Sequence, residues 1–134
     1  MRRAVLISLA LGLVLGVIGT VMAMSALRSG PHMTSVLMHM QAFHRDALDA
    51  NVKANRCAST DNLPHLQVLR MLSNDLEPIF LPVGKDADFR QKASNFRAAL
   101  DAAIAAPPDD CPSLGAAMTK IDHECKSCHS EFRN

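Results

Sequence analysis

The sequence predicts an all-α protein built as an antiparallel, up-down-up-down bundle of four helices. Three observations predict it. The composition is rich in alanine, leucine and methionine and holds five Phe, no Trp and no Tyr, a bias toward helix over sheet. Apolar residues recur at three- and four-residue spacing in four separate segments. Short polar or proline-bearing loops join those segments, and short loops make sequence neighbours antiparallel.

The elements follow in order. Residues 1–29 read as a targeting segment, and residues 30–134 as one folded domain. Arg2 and Arg3 precede an uncharged run over residues 4–27. Either this run is a signal peptide cut after Val21-Met22-Ala23, or it stays as a membrane anchor, since about 20 apolar residues span a bilayer. Both outcomes place the rest of the chain outside the cytoplasm. Gly30-Pro31 then breaks the chain.

The first bundle helix runs from about Pro31 to Asn55, with Met33, Val36, Leu37, Met40, Phe43, Ala47 and Leu48 as its apolar stripe. The polar loop 57–62 leads to a second helix from about Leu63-Pro64, carrying Leu66, Leu69, Leu72 and Leu76 and ending near Glu77 before Pro78. The third helix covers about Asp86 to Ala105, with Phe89, Ala93, Phe96, Leu100 and Ile104 inward. Pro107-Pro108-Asp109-Asp110 stops it. The fourth starts around Pro112-Ser113 and reaches Phe132, burying Leu114, Met118, Ile121 and Cys125.

In that last helix stands Cys125-Lys126-Ser127-Cys128-His129. C-x-x-C-H is the attachment signature of c-type haem. Each thiol adds to one porphyrin vinyl group, so the two cysteines must lie about one helical turn apart, and the histidine that follows meets the iron from its proximal side. Cys125 and Cys128 are therefore the candidate covalent haem residues and His129 the candidate proximal ligand. A redox dithiol would call for a strand–helix pattern that the chain does not show. Four-ligand zinc would call for a second clustered pair, and Cys57 and Cys111 are isolated singles. The fold expectation becomes a four-helix bundle with one covalent haem c near the C-terminus.

The two remaining cysteines fit the bundle. Cys57 closes the first bundle helix and Cys111 opens the fourth, so an up-down-up-down bundle brings them to one end. A disulfide is the expected state in an exported chain. His129 then lies about 27 Å along the last helix from Cys111, and the same distance back from Cys57 reaches the neighbourhood of residue 39. The haem should sit at that depth, facing Leu37, Met40 and His44.

The sixth iron position decides the function. A methionine sulfur gives a low-spin electron carrier, whereas an open position admits small gases. Met40, on the apolar stripe, is the candidate distal ligand, with His44 and Met33 behind it. Met38 points about 160° away from Met40, and His39 also lies off the stripe. The alternative for Met40 is simple core packing, the distal side then being capped by Leu37. His32, His65 and His123 read as surface residues, and Asp122 and Glu124 as parts of a solvated face.

Net charge is +1 with acids and bases interspersed, and no basic stripe supports nucleic-acid binding. No Ser-His arrangement, glycine-rich phosphate loop or carboxylate pair points to an enzyme.

The segment Cys125-Lys126-Ser127-Cys128-His129-Ser130-Glu131-Phe132-Arg133 resembles the C-x-x-C-H-x-x-[YF]-R ending of cytochrome c prime and its low-spin relatives of the c-556 type. The stretch Ser35-Val36-Leu37-Met38-His39-Met40 is similar to the segment that lines their distal haem face. The resemblance covers about Met33 to Arg133. It implies that Arg133 lies near the proximal side of the haem, that Leu37 stands at the distal position, and that pairing into a homodimer runs through the first two bundle helices. Three departures stand out: Met33 occupies a place often held by arginine, the Cys57 and Cys111 pair is not part of the general pattern, and an uncleaved anchor is unusual.

The leading function is electron transfer between redox partner proteins of the periplasm or inner membrane. The alternatives are a five-coordinate haem protein that binds nitric oxide or carbon monoxide, and a haem-free metal-binding or dithiol bundle.

Overall fold

The computed structural model describes residues 2–28 and 33–133. Two compact units divide it, Met1–His32 and Met33–Asn134. The Gly30-Pro31 break and His32 lie outside the described residues.

The first unit is one helix, α1 (Arg2–Arg28). Its stretch Ile7–Ser25 has a mean hydropathy of 2.3, long and apolar enough to cross a membrane. The hydroxyls of Thr20 and Ser25 donate to the carbonyls of Gly16 (2.7 Å) and Val21 (2.8 Å). Polar groups satisfied within the helix suit a hydrocarbon environment.

The second unit is all helical among its described residues: α2 (Met33–Lys53), α3 (Ser59–Leu72), the one-turn α4 (Leu76–Ile79), α5 (Ala87–Ala105) and α6 (Cys111–Phe132). Helix α2 packs on α3 and α6, and α5 packs on the same two, which closes the expected four-helix bundle.

Helix α2 is followed two residues beyond its end by Asn55, whose φ of 57° is left-handed, a conformation asparagine tolerates after helix ends. Helix α3 begins before the expected Leu63-Pro64. Asp109 on the loop before α6 accepts the Ser59 amide at 3.0 Å. The buried Asn62 amide donates to the carbonyls of Ala58 (2.9 Å) and Arg56 (3.1 Å) and accepts from Asn51 at 3.0 Å. These side chains hold a first turn that carries no apolar periodicity.

Helix α3 also ends earlier, at Leu72, where the chain tightens into a 3₁₀ turn over Ser73–Asp75. The Ser73 hydroxyl bonds back to the Arg70 carbonyl (2.6 Å), and Arg97 donates to the Ser73 carbonyl (3.0 Å). Pro78 therefore sits inside α4 and does not end α3. Gly84 presses on the Glu77 carbonyl so closely that a Cβ would collide with it. Asp86 caps α5 by accepting from Asp88 and Phe89. Asp110 and Ser113 form a capping box on α6.

The core joins Leu37 and Leu48 of α2 to Leu66, Leu69, Leu76, Phe89, Phe96, Leu100, Leu114 and Ile121. The rest of the α2 stripe is outside it. Met33, Val36, Met40 and Phe43 are exposed. The apolar arc of α2 is wider than the core contact, and these four occupy its exposed edge.

Cys57 and Cys111 form a disulfide with a Cα–Cα distance of 5.0 Å and a sequence separation of 54. Replacing both by serine should lower unfolding stability by about 4 kcal/mol on loop-closure grounds; an unchanged urea midpoint would contradict this. Arg97 grips Glu77 through two bonds of 2.6 and 3.0 Å, and this contact holds the Glu77 carboxyl below the usual range. A depressed carboxylate stabilises the fold above its unfolded pKa, and that contribution is lost as pH falls through the folded value. The stability gap between wild type and Glu77→Gln should thus narrow from about pH 6 to about pH 3. A gap independent of pH would show that the pair contributes nothing.

Candidate cofactor site

A cavity of about 640 Å³ opens between α2 and α6 at the end of the bundle away from the disulfide. That size falls within the range of cofactor pockets. Its inner wall is apolar: Leu69 and Leu76, Phe80, Phe89 and Phe96, Ile121 and Phe132. The rings of Phe80, Phe89 and Phe132 form a ladder with centroids 5.8 and 5.2 Å apart. Such pairs hold their ring orientations better than aliphatic packing does.

Cys125, Cys128, His129 and Arg133 all line this cavity, in the last turns of α6 and at its C-cap. The spacing puts both thiols on the inward side of one helix. Neither is in a disulfide, and both are half-buried. Burial, with the Asp122 carboxylate adding to it, pushes the Cys125 thiol up to about 11. Burial also raises Cys128, against an opposing pull from Lys92. A thioether carries no charge, so the burial that penalises a thiolate does not penalise the bonded product. Two thiols and an imidazole beside an apolar cavity of this size fit a covalently held porphyrin.

The opposite wall comes from α2: Ser35, Met38, His39, Gln41, Ala42 and Arg45. This corrects the expected distal residues. Met40 is 43% exposed and does not line the cavity. Leu37 is 4% exposed and packs into the core, but it is not in the cavity wall either. The reason is angular. Successive residues turn by about 100° on a helix, so the wall faces the Met38–Ala42–Arg45 side. Leu37 turns toward the core, and Met40 lies on nearly the opposite side. Met33 is exposed, and His44 contacts His65.

Asp122 is not merely solvated. Arg45 Nε and Nη2 donate to its two oxygens at 3.0 and 2.7 Å, a bidentate bond from α2 to α6 on the cavity edge. It sets depth. The helices are antiparallel, so Met38 and His129 each lie about 10 Å beyond this pair toward the same end. Met38 thus stands on the wall at the level of His129. His39 flanks it, with Nδ1 2.7 Å from the Ser35 carbonyl.

The family model described as Cytochrome C' matches residues 83–133. Among solved structures, the chain is similar to a cytochrome c' from Rubrivivax gelatinosus, with 20% identity and a TM-score of 0.61 over 75% of this chain and 91% of that one. No curated protein matches in sequence. Over residues 83–133 the sequence is similar to the cytochrome c′ family, and the bundle shares the fold of a cytochrome c′.

Proposed function

We propose that this protein is an exported c-type cytochrome that carries one covalent haem and transfers single electrons, with Met38 as the sixth iron ligand opposite His129. The observation that carries this reading is the position of Met38 on the cavity wall at the depth of His129. The family match over the attachment motif supports the haem itself.

Bound in the cavity, the haem supplies a one-electron couple. Cys125 and Cys128 would hold it through thioethers and His129 through its imidazole. The Met38 sulfur would favour the reduced state. The phenylalanine ladder excludes water from the porphyrin face. Arg133, exposed at the mouth, offers a cation to the haem carboxylates. No substrate turnover is assigned.

Helix α1 delivers the domain to the periplasm, either as a signal peptide removed after Ala23 or as a retained anchor in the inner membrane. Redox proteins of that compartment are the proposed partners. A second copy of the chain is the proposed partner for the exposed strip Met33, Val36, Met40 and Phe43 on α2.

The testing experiment is an optical spectrum of the matured protein in both oxidation states, with and without carbon monoxide. Sharp reduced bands that ignore carbon monoxide are expected. A broad high-spin spectrum that shifts with the gas would overturn Met38 ligation and indicate gas binding. Failure to acquire haem in a strain competent for cytochrome c maturation would indicate a haem-free bundle. Met38→Leu should convert the spectrum to the gas-sensitive form, while Met40→Leu should leave it unchanged; the reverse pattern restores Met40. Cys128→Ala should retain haem through one thioether, read as a shifted pyridine haemochrome band. Full double attachment in that variant would rule out the proposed linkage.

A further inference from the structure

Outside the cavity, α2 and α3 bring two histidines together. His44 Nδ1 and His65 Nδ1 are 2.9 Å apart, with ring centroids 5.2 Å apart and planes inclined by 53°. Both side chains are half-buried. The Phe43 ring stands edge-on to His44 at 5.1 Å and limits its rotation. The contact implies that one Nδ1 donates and the other accepts, since two protonated nitrogens cannot approach this closely. Burial, and then His65, lower the pKa of His44, so the pair resists holding two protons. Two nitrogen donors therefore converge on one point from two helices.

We infer that His44 and His65 form a two-nitrogen site for a copper(II) ion, bridging α2 and α3. The ion would displace the shared proton and lie to one side of the line joining the two nitrogens, and each ring would turn by roughly 45° to aim its lone pair at it. At metal–nitrogen distances of about 2.0–2.1 Å, two nitrogens 2.9 Å apart subtend about 90° at the metal. That is the cis angle of a tetragonal copper(II) ion. A tetrahedral zinc ion would need about 3.3–3.4 Å between the same atoms. Copper(II) also heads the affinity order for nitrogen donors. Water fills the outward positions. This inference does not rest on the electron-transfer reading, because neither histidine lines the cavity.

The test uses the matured full chain, whose haem iron leaves no vacancy for added metal. Titration with copper(II) alone, followed by electron paramagnetic resonance, should show one site with splitting from two equatorial nitrogens. His44→Asn and His65→Asn should each weaken binding by at least about tenfold and remove that splitting, whereas His123→Asn, on the exposed surface, should change neither. Should either asparagine variant fail to fold, His44→Gln or His65→Gln takes its place. Undiminished copper affinity in the His44 or the His65 variant would overturn the site, as would zinc binding as tightly as copper. A two-nitrogen signal that persists with both histidines replaced would assign the copper elsewhere.

Discussion

The bidentate bond between Arg45 and Asp122 decides where α2 stands against α6, and the cavity follows from that register. Exposed ion pairs contribute little, but a two-point guanidinium–carboxylate contact adds direction to its energy. The disulfide ties the loop that follows α2 to the first residue of α6, about three turns further along. With two ties, α2 cannot slip by a turn, and a slip of one turn would carry Met38 past His129. The depth of the distal wall is thus a property of pairs far apart in sequence.

The rest of the bundle adapts to that frame. Helix α5 contributes Phe89 and Phe96 to the inner wall, and the α4 turn and the segment after it contribute Leu76 and Phe80. The kink at Ser73 and the close approach of Gly84 to Glu77 fold the intervening segment over the cavity. Arg97 holds that segment to α5 through both Glu77 and the Ser73 carbonyl. An irregular stretch between two helices thereby becomes part of a cofactor wall.

Much of this was legible in the chain, and for stated reasons. The attachment motif is local, so its residues could be read without the fold. The caps at Asp86 and Asp110 follow from side-chain chemistry at helix starts. The disulfide and the depth of the cavity followed from bundle topology. The face of α2 was not legible. Its apolar arc is wide enough to include both a core-facing and an exposed edge, and periodicity alone does not say which edge meets α6. Met38 rather than Met40 therefore lines the cavity. The Arg45–Asp122 pair, which fixes the depth of that face, includes an aspartate that reads as part of a solvated face when taken singly. The early start of α3 escaped for a similar reason: Asp109 and Asn62 hold it from outside its own apolar pattern.

The four cysteines set a problem of redox selectivity within one molecule. The domain holds one disulfide, at Cys57 and Cys111, and on the proposed function it must keep Cys125 and Cys128 reduced until both bond to the porphyrin. An oxidant acting on the unfolded chain has no basis for choosing between the pairs. The folded chain has two. The pairs lie at opposite ends of the bundle, beyond the reach of exchange with one another. Burial keeps Cys125 protonated at neutral pH, and thiol–disulfide exchange runs through the thiolate. Packing therefore acts as a protecting group: once the helices assemble, the thiols beside the cavity stand apart from the disulfide and hold little reactive thiolate.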